Sequence, residues 1–247
     1  MKKTSLLSML LLGTVGVVAM SLSFAAPPAP KAAGIESRDY SWNAQEGEKN
    51  EALKLKGNRE NGEEAYEICG ACHLPSGAGR PDGTFPQLAG QHTTVLIKQM
   101  ADIRAGLRDN PTMYPFAVTL TDPQELADVS IYIESLCIPP DHGKYEGTDA
   151  ALQIVKGKEL YEKQCLECHG KNGEGDKAKF YPVIAGQHYK YLLRQMTEIR
   201  DGHRRNANLD MVRIIKPYTD DMLVAISAYQ ASLKMPGAMC EAKASKK

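Results

Sequence analysis

Apolar positions along this chain recur at helical spacing, and they do so twice. Leu96, Met100, Ile103 and Leu107 fall at i, i+4, i+7 and i+11, one face of a helix. Leu192, Met196 and Ile199 repeat that face. Leu126, Val129, Ile133 and Leu136 mark a closing helix, matched by Leu223, Ile226 and Leu233. Thr121 and Thr219 stand where N-caps belong, and Gln124 would complete a capping box with Thr121. Shorter helices are expected around 63–68 and 151–164. No run of period-two alternation appears, so the expected fold is all-α.

The repetition extends beyond periodicity. Phe85-Pro86-Gln87-Leu88-Ala89-Gly90-Gln91-His92 returns as Tyr181-Pro182-Val183-Ile184-Ala185-Gly186-Gln187-His188. Ile103-Arg104-Ala105-Gly106-Leu107-Arg108 returns as Ile199-Arg200-Asp201-Gly202-His203-Arg204. Leu120-Thr121-Asp122 matches Tyr218-Thr219-Asp220. Each unit is long enough for one small domain, near the size at which extra support helps. The expected division is an export signal over 1–25, a Pro/Ala-rich then charged linker over 26–55, domains over 56–143 and 144–241, and a basic tail over 242–247.

Lys2 and Lys3, the apolar run from Leu6 to Met20 and the small residues at Ser23-Phe24-Ala25 read as a signal peptide. That run falls just short of the roughly 20 residues that span a bilayer. The expected address is the periplasm, with peripheral membrane association left open. Ala26-Pro27-Pro28-Ala29-Pro30-Lys31 reads as a stiff spacer. From Ile35 to Arg59 the chain is mostly polar and reads as irregular, with Tyr40 and Trp42 as aromatic anchors. Trp42 either packs back on the first domain or meets a partner. The whole chain has 30 basic and 30 acidic residues. Removing 1–25 takes away Lys2 and Lys3 but no acid, a balance that argues against a nucleic-acid partner.

Chemistry enters with Cys-x-x-Cys-His, present as Cys69-Gly70-Ala71-Cys72-His73 and Cys165-Leu166-Glu167-Cys168-His169. This is the attachment signature of c-type haem: two thiols one helical turn apart each add to a vinyl group, and the adjacent imidazole reaches the iron. Cys69, Cys72, Cys165 and Cys168 are therefore expected to bind two haems, with His73 and His169 as proximal iron ligands. Two methionine pairs compete for the sixth position. Met100 and Met196 lie on the apolar stripe and suit core filling. Met113 and Met211 fall between helices, where core periodicity does not account for them, and are the expected axial ligands. His92 and His188 repeat at helix starts, where a polar residue meets solvent or a propionate. His142 and His203 do not repeat and are expected at the surface. Pro86 and Pro182 follow their proximal histidines at the same offset, so a carbonyl nearby could accept the Nδ1–H. Phe85 and Tyr181 would then line the haems.

Cys137 and Cys240 remain. In an exported protein they either form a disulfide closing about 100 residues or stay as two thiols.

The doubled haem motif, the Pro-x-x-Ala-Gly-Gln segment and the later methionine resemble the dihaem cytochrome c4 family over most of residues 57–236. The charged region before Lys56, Cys137 and Cys240 depart from it. The resemblance implies two class I cytochrome c domains with His/Met-ligated haems, serving as an electron carrier without catalytic residues. It further implies a quinol-oxidising cytochrome complex as donor and a terminal oxidase as acceptor. The alternatives are a cytochrome subunit of a periplasmic dehydrogenase, or a dihaem enzyme such as a peroxidase or thiosulfate-oxidising cytochrome.

Overall fold

In the computed structural model, which describes residues 28–241, the helical spacing is realised as two sets of helices. The first comprises α1 (Gly47–Ala52), α2 (Arg59–His73), α3 (Thr93–Arg104), α4 (Tyr114–Ala117) and α5 (Pro123–Ser135). The second comprises α6 (Ala150–Gln164), α7 (Leu166–His169), α8 (Tyr189–Arg200), α9 (Leu209–Ile215) and α10 (Asp220–Gln230). Among the described residues β-structure is confined to isolated bridges. The expected export signal and basic tail lie outside the described residues. No described helix is long and apolar enough to cross a membrane.

Each set is closed by its first long helix crossing its last, α2 against α5 and α6 against α10. Gly62 and Gly157 sit at these crossings, where a Cβ would strike the carbonyl of Asp128 or Ala225. Only glycine lets the two backbones approach so closely. Tilted tyrosine pairs flank both crossings: Tyr66 with Tyr132 at 5.4 Å and Tyr161 with Tyr229 at 5.2 Å. The Tyr66 and Tyr161 hydroxyls donate to the carbonyls of Leu74 and Gly170, at 3.0 and 2.7 Å. They thereby pin the chain where it leaves each haem motif. The periodic residues Leu96, Leu126, Ile133, Leu192, Leu223 and Ile226 are buried as their spacing demands.

Two local expectations need correction. The cap of α5 is Asp122, which accepts from the Glu125 N–H at 2.9 Å while Glu125 reaches back, rather than Thr121 with Gln124. Pro123 suits the first helical position and sets the start one residue later. Gln124 instead donates to Asp128 at 2.6 Å. Thr219 does cap α10, accepting from the Met222 N–H at 3.3 Å. The polar stretch before Arg59 is also more structured than its composition suggests. It forms α1, which buries Ala52 against the first core, and Arg104 anchors Glu48 at 3.0 Å.

The two halves meet through their repeated Gly-Gln-His segments. Gln91 donates to the Val183 carbonyl and accepts from its N–H, both at 2.9 Å. Gln187 makes the same pair with Gln87, at 2.9 and 3.0 Å. His92 Nε2 donates to the Glu174 carbonyl and His188 Nε2 to that of Ala78, each at 2.8 Å. His188 is fully buried, and its Nδ1 accepts from the Gly143 N–H at 3.0 Å. These histidines are interdomain clamps, which corrects their assignment to solvent or a propionate. A pseudo-two-fold interface uses one segment twice, so interface residues repeat in sequence just as ligands do. His142 is only half-exposed and donates to the Ala231 carbonyl at 2.6 Å, whereas His203 is exposed as expected.

Beside the clamp, Glu134 of α5 takes Lys177 of the second domain at 2.7 Å, and also Thr93. Burial pushes its carboxyl up, but the facing His92, Lys177 and Thr93 side chains outweigh that and bring its pKa to about 2. The ordinary value is 4.5, so this contribution is complete above it and disappears as pH falls through about 2. The stability difference between the parent and Glu134→Gln should therefore shrink as pH falls across that window. Denaturant unfolding of both proteins at several pH values checks it.

Cys137 and Cys240 form a disulfide, with Cα atoms 4.9 Å apart. Beside it Ile138 is wholly buried in the second domain's core. Its N–H donates to the Ala238 carbonyl and its carbonyl accepts from the Cys240 N–H, both at 2.8 Å.

Candidate haem sites

Helix geometry places Cys69 and Cys72 one turn apart at the end of α2, with His73 as its last residue. In the second copy the chain breaks at Cys165 between α6 and α7, and His169 closes α7. Both histidines are buried, at 6% and 9% exposure. Burial lowers the pKa of each, which keeps the imidazole neutral and able to donate a lone pair.

The orientation of each ring is fixed from behind. His73 Nδ1–H donates to the Pro86 carbonyl at 2.9 Å and His169 Nδ1–H to that of Pro182 at 3.4 Å. The proton is on Nδ1 because a carbonyl can only accept, so Nε2 is left free for a metal. Phe85 stands edge-on to His73 at 6.0 Å and Tyr181 tilts against His169 at 6.5 Å. The expected wall residues thus adjoin the expected ligands.

A single cavity of about 1060 Å³ runs between the domains. Cys69, Cys72, His73 and Met113 line it from the first domain, and Cys165, Cys168, His169 and Met211 from the second. Met113 is the N-cap of α4, and Met211 lies within α9, so the region expected to be irregular contains two short helices. Asn side chains organise both: Asn110 accepts from the Met113 N–H at 3.1 Å and Asn208 from the Met211 N–H at 3.2 Å. Their matching positions, three residues before each methionine, were the sequence signal for these anchors. Arg104 and Arg200 brace the same segments through the carbonyls of Leu120 and Tyr218. Met100 and Met196 also reach the cavity, but they pack among the core residues of α3 and α8.

The donor set fits two covalent haems. Burial pushes the Cys69 thiol up to about 11 and that of Cys165 up to about 12, so both stay protonated at neutral pH. Addition of S–H across a vinyl group uses both atoms of such a thiol. Where the domains meet, Arg108 and Arg204 share Gln99 and Gln195, with all four hydrogen bonds between 2.9 and 3.1 Å. Their other side-chain partners are the Tyr191 hydroxyl and the Asn206 amide, and the nearby guanidiniums hold the Tyr191 hydroxyl below its ordinary pKa. Burial and the neighbouring Arg108 push Arg204 down to about 10, which still leaves it charged at neutral pH. Two guanidiniums on the cavity wall, hydrogen-bonded to amides and a phenol, suit anionic groups such as haem propionates. The spacing rules singled out the thiols and imidazoles but passed over this arginine pair, although Arg108 and Arg204 repeat.

Residues 59–137 and 154–233 each match the sequence family Cytochrome c. Cytochrome c4 of Azotobacter vinelandii is 33% identical over 175 residues, covering 66% of this chain and 82% of that protein. A protein named thiosulfate dehydrogenase electron acceptor, from Stutzerimonas stutzeri (strain A1501), is 33% identical over 175 residues, covering 68% and 80%. Among solved structures, reduced recombinant cytochrome c4 from Pseudomonas stutzeri superposes with a TM-score of 0.62 at 30% identity, covering 72% of this chain and all of that one.

Proposed function

The chain belongs to the dihaem cytochrome c4 family, two tandem cytochrome c domains that transfer electrons through two covalent haem c groups, and we propose that both irons are closed by His/Met ligation. The reading assigns Cys69, Cys72 and His73 with Met113 to one haem, and Cys165, Cys168 and His169 with Met211 to the other. One observation carries it: both proximal histidines are held by a proline carbonyl, and both asparagine-anchored methionines line the same cavity.

When bound, each haem supplies a one-electron couple between ferrous and ferric iron. The protein's part is to keep its surroundings the same in both states. Pro86 and Pro182 hold the imidazoles in register, Asn110 and Asn208 hold the methionine backbones, and the buried core limits rearrangement. Neutral thioether donors favour a relatively high potential. With His73 and Met113 holding one iron and His169 and Met211 the other, neither would offer a vacancy for substrate.

The reading is therefore a periplasmic carrier between redox proteins rather than an enzyme. A quinol-oxidising cytochrome complex is the proposed donor and a terminal oxidase the proposed acceptor. A periplasmic dehydrogenase is the second donor, favoured by the 33% identity to a thiosulfate dehydrogenase electron acceptor. Stopped-flow mixing of the holoprotein with either donor should reduce both haems rapidly, with rates that depend on salt. Sustained thiosulfate oxidation or peroxide reduction by the isolated chain would overturn the carrier reading.

A further inference from the structure

Part of the chain that precedes both matched domains is built into their haem chamber. Residues 28–46 run as a strap across the two domains. The Ala32 N–H donates to the Gly106 carbonyl of the first domain at 3.1 Å, and the Ile35 N–H to the Arg205 carbonyl of the second at 2.9 Å. The Tyr40 hydroxyl donates to the Ala207 carbonyl at 3.0 Å. Arg205, only 8% exposed, locks the crossing. It makes a bidentate pair with Asp109 of the first domain at 2.8 and 3.0 Å, and also reaches Ala32 and Glu36 of the strap.

Toward its end the strap presents Trp42, the only tryptophan in the sequence, to the wall of the cavity. The ring stacks on Tyr181 at 6.1 Å and 28°, and the Lys98 ammonium lies 5.4 Å from its centroid. Lys98 is itself buried and paired with Asp102. Tyr181 is the ring that leans on His169, so Trp42 backs the wall of the second haem site. The corresponding ring in the first domain, Phe85, is backed by the Arg80 guanidinium at 5.9 Å. The repeat makes the two sites alike, but the strap occurs once and makes them differ.

We propose that Trp42 is a positioning residue for the second haem, holding the Tyr181 wall closed against water and so raising that haem's reduction potential. Ferric iron carries one more positive charge than ferrous iron. Excluding water removes solvation that favours the ferric state, and burial is one of the levers by which a protein sets haem potential. The strap would then give two similarly ligated haems unequal potentials. This inference rests on the His/Met reading above.

The test is a redox titration of full-length holoprotein carrying Trp42→Ala or Trp42→Phe, with the second haem identified by the signal that Met211→Ala abolishes. Trp42→Ala should lower the second potential by roughly tenfold in its reduction equilibrium, ~59 mV for one electron, and leave the first in place. Trp42→Phe, which keeps an aromatic wall, should restore most of it. An unchanged second potential, or equal shifts of both, would overturn the proposal. In either case a retained methionine-ligated, low-spin spectrum shows the ligand assignment still standing. If Trp42→Ala does not accumulate, Trp42→Leu, which keeps apolar bulk but no ring, takes its place and should lower the second potential alone, an unchanged second potential overturning the proposal.

Discussion

Met113→Ala should convert one closed haem into one that binds carbon monoxide when ferrous and cyanide when ferric, while the other haem stays closed. The proximal side should remain intact, because the Pro86 carbonyl holds His73 through Nδ1, on the other side of the ring from the free Nε2. What is lost is the thioether at the start of α4, where the Asn110 side chain fixes the backbone but offers no replacement donor to the iron. The expected result is a high-spin or exchangeable site with a potential well below the parent's. Axial ligands set haem potentials over a range of about 0.8 V, so the shift should exceed that from any change in the chamber wall. Met100→Ala is the control. That methionine reaches the same cavity but sits in the α3 core, so its loss should reduce stability and leave the iron six-coordinate. Should Met100→Ala open the site and Met113→Ala leave it closed, the ligand assignment would have to be exchanged. Ligand-binding spectra of the two variants separate these outcomes.

How much of this was readable from sequence depended on whether the signal was local. Cys69, Cys72 and His73 could be read because haem attachment needs three donors within one helical turn, and short-range geometry is written in spacing. The helices of both cores were readable for the same reason, through the period of Leu96, Ile103 and their counterparts. Pro86 and Pro182 lay within reach because the repeat held their offset constant. His92 and His188 show the limit. Their repetition implied a shared role, but their partners, the carbonyls of Glu174 and Ala78, lie in the opposite domain. No intra-domain pattern encodes such a contact. Gly62 and Gly157 were passed over because a glycine within a helix has no apolar period, although the helix crossings depend on them. The strap was hidden by composition. Its polar residues read as a linker, whereas its attachment comes from backbone hydrogen bonds and from Trp42 and Arg205, which cooperate only once the chain is folded.

Replacing Cys137 and Cys240 with serine should lower the stability of the second domain by ~2–4 kcal/mol, the usual range for losing a native disulfide. The bridge joins residues 103 apart in sequence, and for a loop of about 100 residues the chain-entropy model gives roughly 4.7 kcal/mol. The measured effect should fall below that figure. The unfolded chain keeps residual structure, which already limits the loop entropy that the bridge removes. The folded-state contribution acts the other way. Cys137 precedes Ile138, which is fully buried in the second core, and the Ile138 backbone bonds to Ala238 and Cys240 hold the chain end alongside it. Without the bridge, residues 137–138 and 238–240 can both fray from that core. The effect should therefore be unequal between domains. Denaturant unfolding followed at each haem should show the second transition moving to lower denaturant and the first moving much less. Both transitions shifting together would mean that the clamp formed by Gln91, Gln187, His92 and His188 couples the domains into one cooperative unit. An unshifted second transition would mean that the disulfide has no measurable effect on stability.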